Sequence, residues 1–232
     1  ELGIEIPLEW SWWGMDLGIT PTPLDYAEFV ADRIVDAVEQ ALKNRKPGGV
    51  SFGLGHAVVG QNRLIAYDNG QSQMYGKTNR ADFNHVEGYE DHSVGLIYTY
   101  DADRKLTGVV INLSCSPQTT EGGMLISADF WHETRNELRG RLGESLYILP
   151  QLAAAGDQSP HLLVNKRAEE RMQKLAGRNR RQQIAVRIAD AVTTVLPYLE
   201  EHIDSNPSLK HRVEQVELTR LQLTDDQLEK YR

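Results

Sequence analysis

Apolar residues along this chain fall into two rhythms, and the rhythms divide it into elements. Tyr26, Phe29, Val30, Ile34, Ala37, Val38 and Ala41 keep the i, i+3, i+4 spacing of an amphipathic helix, predicted over 23–45. Thr22 suits the N-cap and Pro23 the first helical position, while Lys43, Arg45 and Lys46 suit the carbonyl end. Pro47-Gly-Gly49 then stops the helix. Val50–Val59 reads as a strand interrupted by Gly53 and Gly55, followed by a turn over 60–63, a short strand Leu64–Tyr67 and a turn at Asp68-Asn-Gly70. Residues 71–93 are polar and irregular. Val94–Tyr100 and Leu106–Cys115 read as two strands of a hairpin across the turn 101–105.

Beyond this hairpin the rhythm changes. A polar loop over 116–123 leads through Ile126-Ser-Ala-Asp-Phe130 into a helix ending near Leu142, and Ser145–Leu149 is a second apolar strand. Strand, helix, strand is a βαβ unit, with a right-handed crossover expected. Helices follow over 165–176 and 178–196, with Gly177 between them and Pro197 ending or kinking the second. Val216 and Leu218 alternate with charged neighbours, which predicts a strand over 212–223. Thr224-Asp-Asp-Gln227 is a capping box that opens a last helix. The expected fold class is α/β: a mixed β-sheet with a βαβ core and flanking helices, forming one domain over 1–232. Ligands of such sheets gather outside the carboxyl ends of the parallel strands. The loops Cys115-Ser-Pro-Gln118 and Gly156-Asp-Gln-Ser-Pro160 leave those ends.

Composition narrows the partners. The formal net charge is -8, which argues against nucleic acid or an anionic membrane surface. The single cysteine, Cys115, excludes an internal disulfide and a cysteine-based zinc site, and its place at a strand end fits a buried thiol. No apolar run approaches the roughly 20 residues of a transmembrane segment. The chain starts at Glu1 and ends at Arg232 just after a helix begins, so it reads as an internal part of a larger protein. Trp10, Trp12 and Trp13 beside Pro7, Pro21 and Pro23 read as an ordered loop, either covering a core edge or walling a ligand.

Several segments carry candidate chemistry. Gly70–Thr78 has five residues between its glycines and no helical sequence after it, so it does not make a phosphate loop. His132-Glu133 lacks the second histidine of a zinc-protease helix, and no Gly-x-Ser-x-Gly elbow is present. His85, Glu87, Glu90, Asp91 and His92 have metal-ligand chemistry, with His85 and His92 the candidates for a metal; the same cluster also reads as a hydrogen-bonded loop scaffold. The basic residues over 166–187 read as a solvated helix face, the alternative being an anion-binding patch. In Gly156-Asp-Gln-Ser-Pro160, Gly156 allows a tight turn, Asp157 can fix neighbouring amides, and Pro160 restricts the backbone of Ser159. That presents one hydroxyl, which needs a base, a metal or a helper role to act.

Asn62-Arg63, the strand end Asn112–Pro117, Ile126-Ser-Ala-Asp129 and Ala155-Gly-Asp-Gln-Ser-Pro160 occur in this order and together resemble the catalytic domain of the neutral/alkaline, non-lysosomal ceramidases. The match covers roughly residues 48–165. Members of that family are zinc amidohydrolases that cut the amide of an N-acyl sphingoid base. The resemblance implies that Ser159 matches the family's active-site serine and Arg63 the arginine of its Asn-Arg motif. It makes Asp157 a further catalytic candidate and Asn62, Ser116 and Gln118 substrate-binding ones. It also implies zinc, a lipid or small-molecule substrate and a secreted or periplasmic setting. The family's zinc ligands are a His-x-His motif, a histidine just after the central strand, and a later glutamate and tyrosine. This chain has no His-x-His, and Ser116 stands at the strand-end position; the remaining ligands are expected outside residues 1–232. The expected function is hydrolysis of an N-acyl (sphingo)lipid or related amide by metal-activated water, with Ser159 and Arg63 assisting; the activity is expected of a longer protein, and residues 1–232 alone are expected to be inactive. The alternatives are a non-catalytic lipid- or glycan-binding member that lacks the zinc site, and a metal hydrolase built on His85, Glu87, Asp91 and His92.

Overall fold

The computed structural model describes residues 23–123, 127–219 and 222–229. In chain order its elements begin with α1 (Pro23–Lys43), β1 (Gly48–His56), β2 (Gln61–Asn62), β3 (Leu64–Tyr67), β4 (Ser72–Met74), β5 (Phe83–Val86), β6 (Ser93–Asp101) and β7 (Leu106–Leu113). They continue with α2 (Phe130–Leu142), β8 (Tyr147–Leu152), β9 (Gln158–Ser159), α3 (Lys166–Ala176), α4 (Arg180–Leu199) and α5 (Asp225–Glu229).

The main sheet has the order β1-β6-β7-β8 and is mixed, as the sequence predicts. β1 pairs with β6, and β6 with β7, antiparallel. β7 and β8 are parallel, joined through α2. β8 is an edge strand, which is why it accommodates Pro150. One face of the sheet is covered. Val94, Leu96, Tyr98 and Tyr100 of β6 and Val109, Ile111 and Leu113 of β7 point to that face at alternate positions. α4 meets them with Ile184, Ile188, Val192 and Leu196 at i, i+4 spacing, and α2 with Phe130 and Leu138. Tyr98 donates its hydroxyl to the Val192 carbonyl at 2.6 Å and so ties sheet to helix.

Gly53 and Gly55 do not interrupt β1. They let α4 lie against it: a Cβ on Gly53 would meet Leu199 Cδ1 at 2.5 Å, and one on Gly55 the Ala191 carbonyl oxygen at 2.9 Å. Gly55→Val is therefore expected to lower the unfolding free energy by about 2 kcal/mol through overpacking. A denaturant titration checks this, and an unchanged midpoint would mean that the helix has room to shift.

Four further expectations change. The turn over 60–63 contains β2, which pairs with β9 in a two-stranded ribbon. The polar stretch 71–93 holds β4 and β5, which flank β3 in a second small sheet. Their side chains are mostly exposed, so no apolar alternation marks them. α4 continues through Pro197 to Leu199, because Leu196 is buried and Leu199 packs over Gly53. The strand predicted over 212–223 does not form in the described part: residues 212–219 have no regular structure, and Val213, Val216 and Leu218 are exposed. No neighbouring edge pairs with them, and alternation without a pairing partner does not hold a strand.

The apolar stripe of α1 is also exposed, with Tyr26, Ile34, Val38 and Leu42 each more than half accessible. So is the second face of the main sheet, where Phe52, Leu54 and Leu149 lie. The tryptophans at 10, 12 and 13 and Ile126 fall outside the described residues. No helix among the described residues is long and apolar enough to cross a membrane.

Candidate functional site

The β2–β9 ribbon joins the two motifs that the sequence singles out. Gln61 stands opposite Ser159 and Asn62 opposite Gln158. One residue further, the Arg63 N–H donates to the Asp157 carbonyl at 2.9 Å. Asn62 is 2% exposed and braces the loop with its whole side chain. Its Nδ2 donates to Asp157 Oδ2 at 2.9 Å, and its Oδ1 accepts from the Leu64 N–H at 2.9 Å. Its backbone N–H reaches Glu90 Oε1 at 3.1 Å. Asn62 and Asp157 thus hold the frame, and the side chain of Arg63 leaves it toward solvent. There one guanidinium nitrogen donates to the Gly156 carbonyl at 2.7 Å.

Ser159 lies on the same ribbon and is fully buried, at 0% exposure. Its Oγ accepts from the Tyr75 hydroxyl at 3.2 Å and from the His161 backbone N–H at 3.2 Å. The serine does not cap a helix, since α3 begins only at Lys166. Tyr75 connects the parts. Its backbone N–H donates to the Arg63 carbonyl at 2.7 Å, and its hydroxyl accepts from Gln118 Nε2 at 3.0 Å. Its ring meets the His161 ring edge-on at 5.7 Å between centroids, and the Arg63 guanidinium carbon lies 5.9 Å from its centre. Tyr75 has φ of 55°, a left-handed conformation that costs a non-glycine residue energy. Glu121 closes the ring of contacts, accepting from Gln118 Nε2 at 3.1 Å and pairing with His161 Nε2 at 2.9 Å.

The loop that carries Gln118 and Glu121 is anchored from α2. Asp129, 2% exposed, accepts from Thr119 Oγ1 at 2.5 Å, Thr120 Oγ1 at 2.8 Å, the Thr120 N–H at 2.9 Å and the Phe130 N–H at 2.7 Å. Burial pushes its carboxyl up, but these hydrogen bonds outweigh burial and hold it below the usual carboxylate range. Ser116 is half-buried on the same loop, its carbonyl 3.5 Å from the Cys115 thiol. Burial pushes that thiol up to about 12, so it stays protonated and inert. A cavity of about 510 Å³ opens beside this network, lined by Tyr75, Glu121, His161, Leu162, Lys166 and Arg180 among others. Arg180 and Arg187 both reach Glu169 Oε1 at 2.8 Å, so part of the basic stretch is tied into ion pairs.

The structure therefore brings Asn62, Arg63, Gln118, Asp157 and Ser159 into one connected network, with Ser116 on the same loop as Gln118. His85 stands apart on β5 against Asn84. His92 lies behind the ribbon, with Nε2 3.4 Å from Glu90 Oε2 and Nδ1 buried without a partner. The Asp91 carboxylate is engaged by the Ser93 N–H first and by the Ser114 hydroxyl, which hold it below its usual range. One orphaned nitrogen does not make a zinc site. Among the described residues no group of three or more His, Cys, Asp or Glu side chains is placed to hold a metal, so this donor set does not fit catalytic zinc, which takes three protein ligands. Elemental analysis of the purified 232-residue chain is expected to find zinc well below one equivalent. A full equivalent would mean that ligands come together elsewhere in the chain.

Tyr75, His161 and Glu121 were not legible as site residues. Tyr75 sits in a stretch without periodicity, and only contacts across 43 and 84 residues give its hydroxyl a role. His161 stands two residues after Ser159, and that proximity is the one signal the sequence offers.

No family model matches this chain, and no curated protein matches it. Among solved structures it is similar to the neutral ceramidase from Pseudomonas aeruginosa, with a TM-score of 0.52 over 72% of this chain at 17% identity. It is also similar to a ceramidase complexed with C2, with a TM-score of 0.51 over 72% of this chain at 16% identity. In both cases the chain spans a quarter of the other structure's length, 25%. At such identity the likeness is one of architecture, and the chain has a ceramidase-like fold.

Proposed function

We propose that this chain belongs to a hydrolase that cleaves the amide of an N-acyl lipid or a related acyl amide. The observation that carries this reading is the contact of Tyr75 with both Arg63 and Ser159, beside a cavity whose lining includes Pro160, Leu162 and Leu163 among charged side chains. The ceramidase-like fold supports it.

Amide hydrolysis builds negative charge on the carbonyl oxygen as water adds. Arg63 answers that need with a fixed fork of donors, of which the Gly156 carbonyl occupies one. The Asn62–Asp157 brace fixes the strand from which the fork projects. His161, paired with Glu121 on the cavity wall, has the chemistry to take a proton from the attacking water and return it to the departing amine. Ser159 assists through the hydrogen bond it accepts from Tyr75. No step is assigned to zinc, because the donors described here do not form its site.

The test is hydrolysis of an N-acyl amide by purified protein, followed by release of the amine. Cleavage that falls sharply in Arg63→Lys supports the reading. Tight binding of the amide without turnover would favour a lipid-binding protein on the same fold.

A further inference from the structure

Ser159 is the residue that the motif presents as the reactive hydroxyl, yet it is fully buried and does not line the cavity. Tyr75 does line it and is 37% exposed. Three contacts hold Tyr75: the Arg63 guanidinium over the ring, the His161 ring in an edge-on contact, and a backbone hydrogen bond to the Arg63 carbonyl. Its left-handed backbone, rare for a bulky residue, aims the ring at this position, and such strain concentrates at working sites. A phenol has one proton to donate and two lone pairs. Here the proton points at Ser159 Oγ and one lone pair receives Gln118 Nε2.

We propose that Tyr75 is the catalytic hydroxyl that touches the acyl amide, and that Ser159 is its positioning residue. This rests on the hydrolase reading above. In the free protein the Tyr75 proton is parked on Ser159. When an acyl amide enters, with its chain along Leu162 and Leu163, the proton turns to the carbonyl oxygen beside the Arg63 fork. No covalent bond forms or breaks in this turn; one hydrogen bond is exchanged for another, to an oxygen that becomes more negative as the reaction proceeds. Ser159 thereby acts through Tyr75 and never meets the substrate.

The experiment uses N-octanoyl-7-amino-4-methylcoumarin, an acyl amide, in both turnover and calorimetric binding. Tyr75→Phe keeps the ring and its contacts, so folding is preserved, and removes only the hydroxyl. It is expected to lower kcat about 100-fold with KM changed less than about threefold, the signature of a lost transition-state donor. Ser159→Ala is expected to lower kcat about tenfold, because a mispositioned donor still works part of the time. The double variant should equal Tyr75→Phe alone, a non-additivity that a structural role for Ser159 would not produce. Losses that multiply, or a Ser159→Ala loss exceeding that of Tyr75→Phe, would overturn the proposal. Normal turnover in Tyr75→Phe with a crippled Arg63→Lys would overturn it while leaving the hydrolase reading intact. Wild-type protein that binds the amide without cleaving it removes the hydrolase reading, and the proposal that rests on it falls as well. Protein that neither binds nor cleaves the probe overturns both.

Discussion

Asp129→Ala is expected to lower the unfolding free energy by about 3–4 kcal/mol, since hydrogen bonds to a charged group contribute about 1.5–3 kcal/mol each and the deserted donors stay partly buried. The carboxylate satisfies Thr119, Thr120 and the first N–H of α2 together, and its negative charge sits at the positive end of that helix. Its own backbone is strained, with φ of 52°, so the alanine inherits an unfavourable conformation and none of the compensation. Asp129→Asn should cost less, because it keeps the shape and one acceptor. The same group predicts a pH dependence. Its folded value lies below the ordinary 3.8, so the stabilisation is fully present above that pH and is lost as pH falls through the lower, folded value. Asp91 acts in the same direction. Urea midpoints between pH 6 and pH 2 measure this, and the acid sensitivity should shrink in Asp129→Asn. Equal acid sensitivity in both proteins would show that other carboxylates dominate.

Arg63→Lys is expected to reduce kcat/KM on an N-acyl amide about 100-fold, or about 3 kcal/mol, the magnitude of one lost oxyanion donor. Lysine keeps the charge but has a single flexible nitrogen. It cannot hold the Gly156 carbonyl and a substrate oxygen at fixed angles together. Stability should hardly change, because the hydrogen bond to Gly156 is exposed and such bonds contribute about 1 kcal/mol. Rate and melting temperature measured on one preparation separate the two effects. Lost activity with an unchanged melting temperature supports a direct role for Arg63. Full activity in the lysine variant would leave the ribbon a structural feature and the hydrolase reading without its main support.

Asp129 caps a long helix, whereas Arg63 lies between two short strands, where the sequence is hardest to read. The long elements were legible. α1 and α4 announced themselves by apolar spacing, α2 as a helix-like run and α3 by the Gly177 that ends it, and β6, β7 and β8 by apolar runs. The parallel pairing of β7 with β8 followed from the helix between them, because a parallel neighbour needs a crossover of about that length. The predicted start of α4 at 178 passes over its cap: the Asn179 side chain accepts from the Gln182 N–H while Gln182 returns a bond, so the helix starts at Arg180. Gly53 and Gly55 were visible but misread: as a local feature they look like a break, and only α4 lying against β1 shows why they are glycines.

The sequence by itself determined the α/β class, the mixed sheet and the two loops that bear Gln118 and Ser159, because these depend on periodicity and on residues close along the chain. The tertiary structure alone decided how the loops combine. β2 and β9 have two residues each and no pattern of their own; they are strands because each is the other's partner across almost a hundred positions. That pairing buries Ser159, and the strained turn at Tyr75 then brings a phenol over it that no spacing rule would place there. The exposed stripe of α1 makes the same point from the other side. Spacing fixes which face of a helix is apolar, because that is a property of 3.6 residues per turn. What lies against that face is a matter of which distant surfaces meet, and no local interaction encodes it.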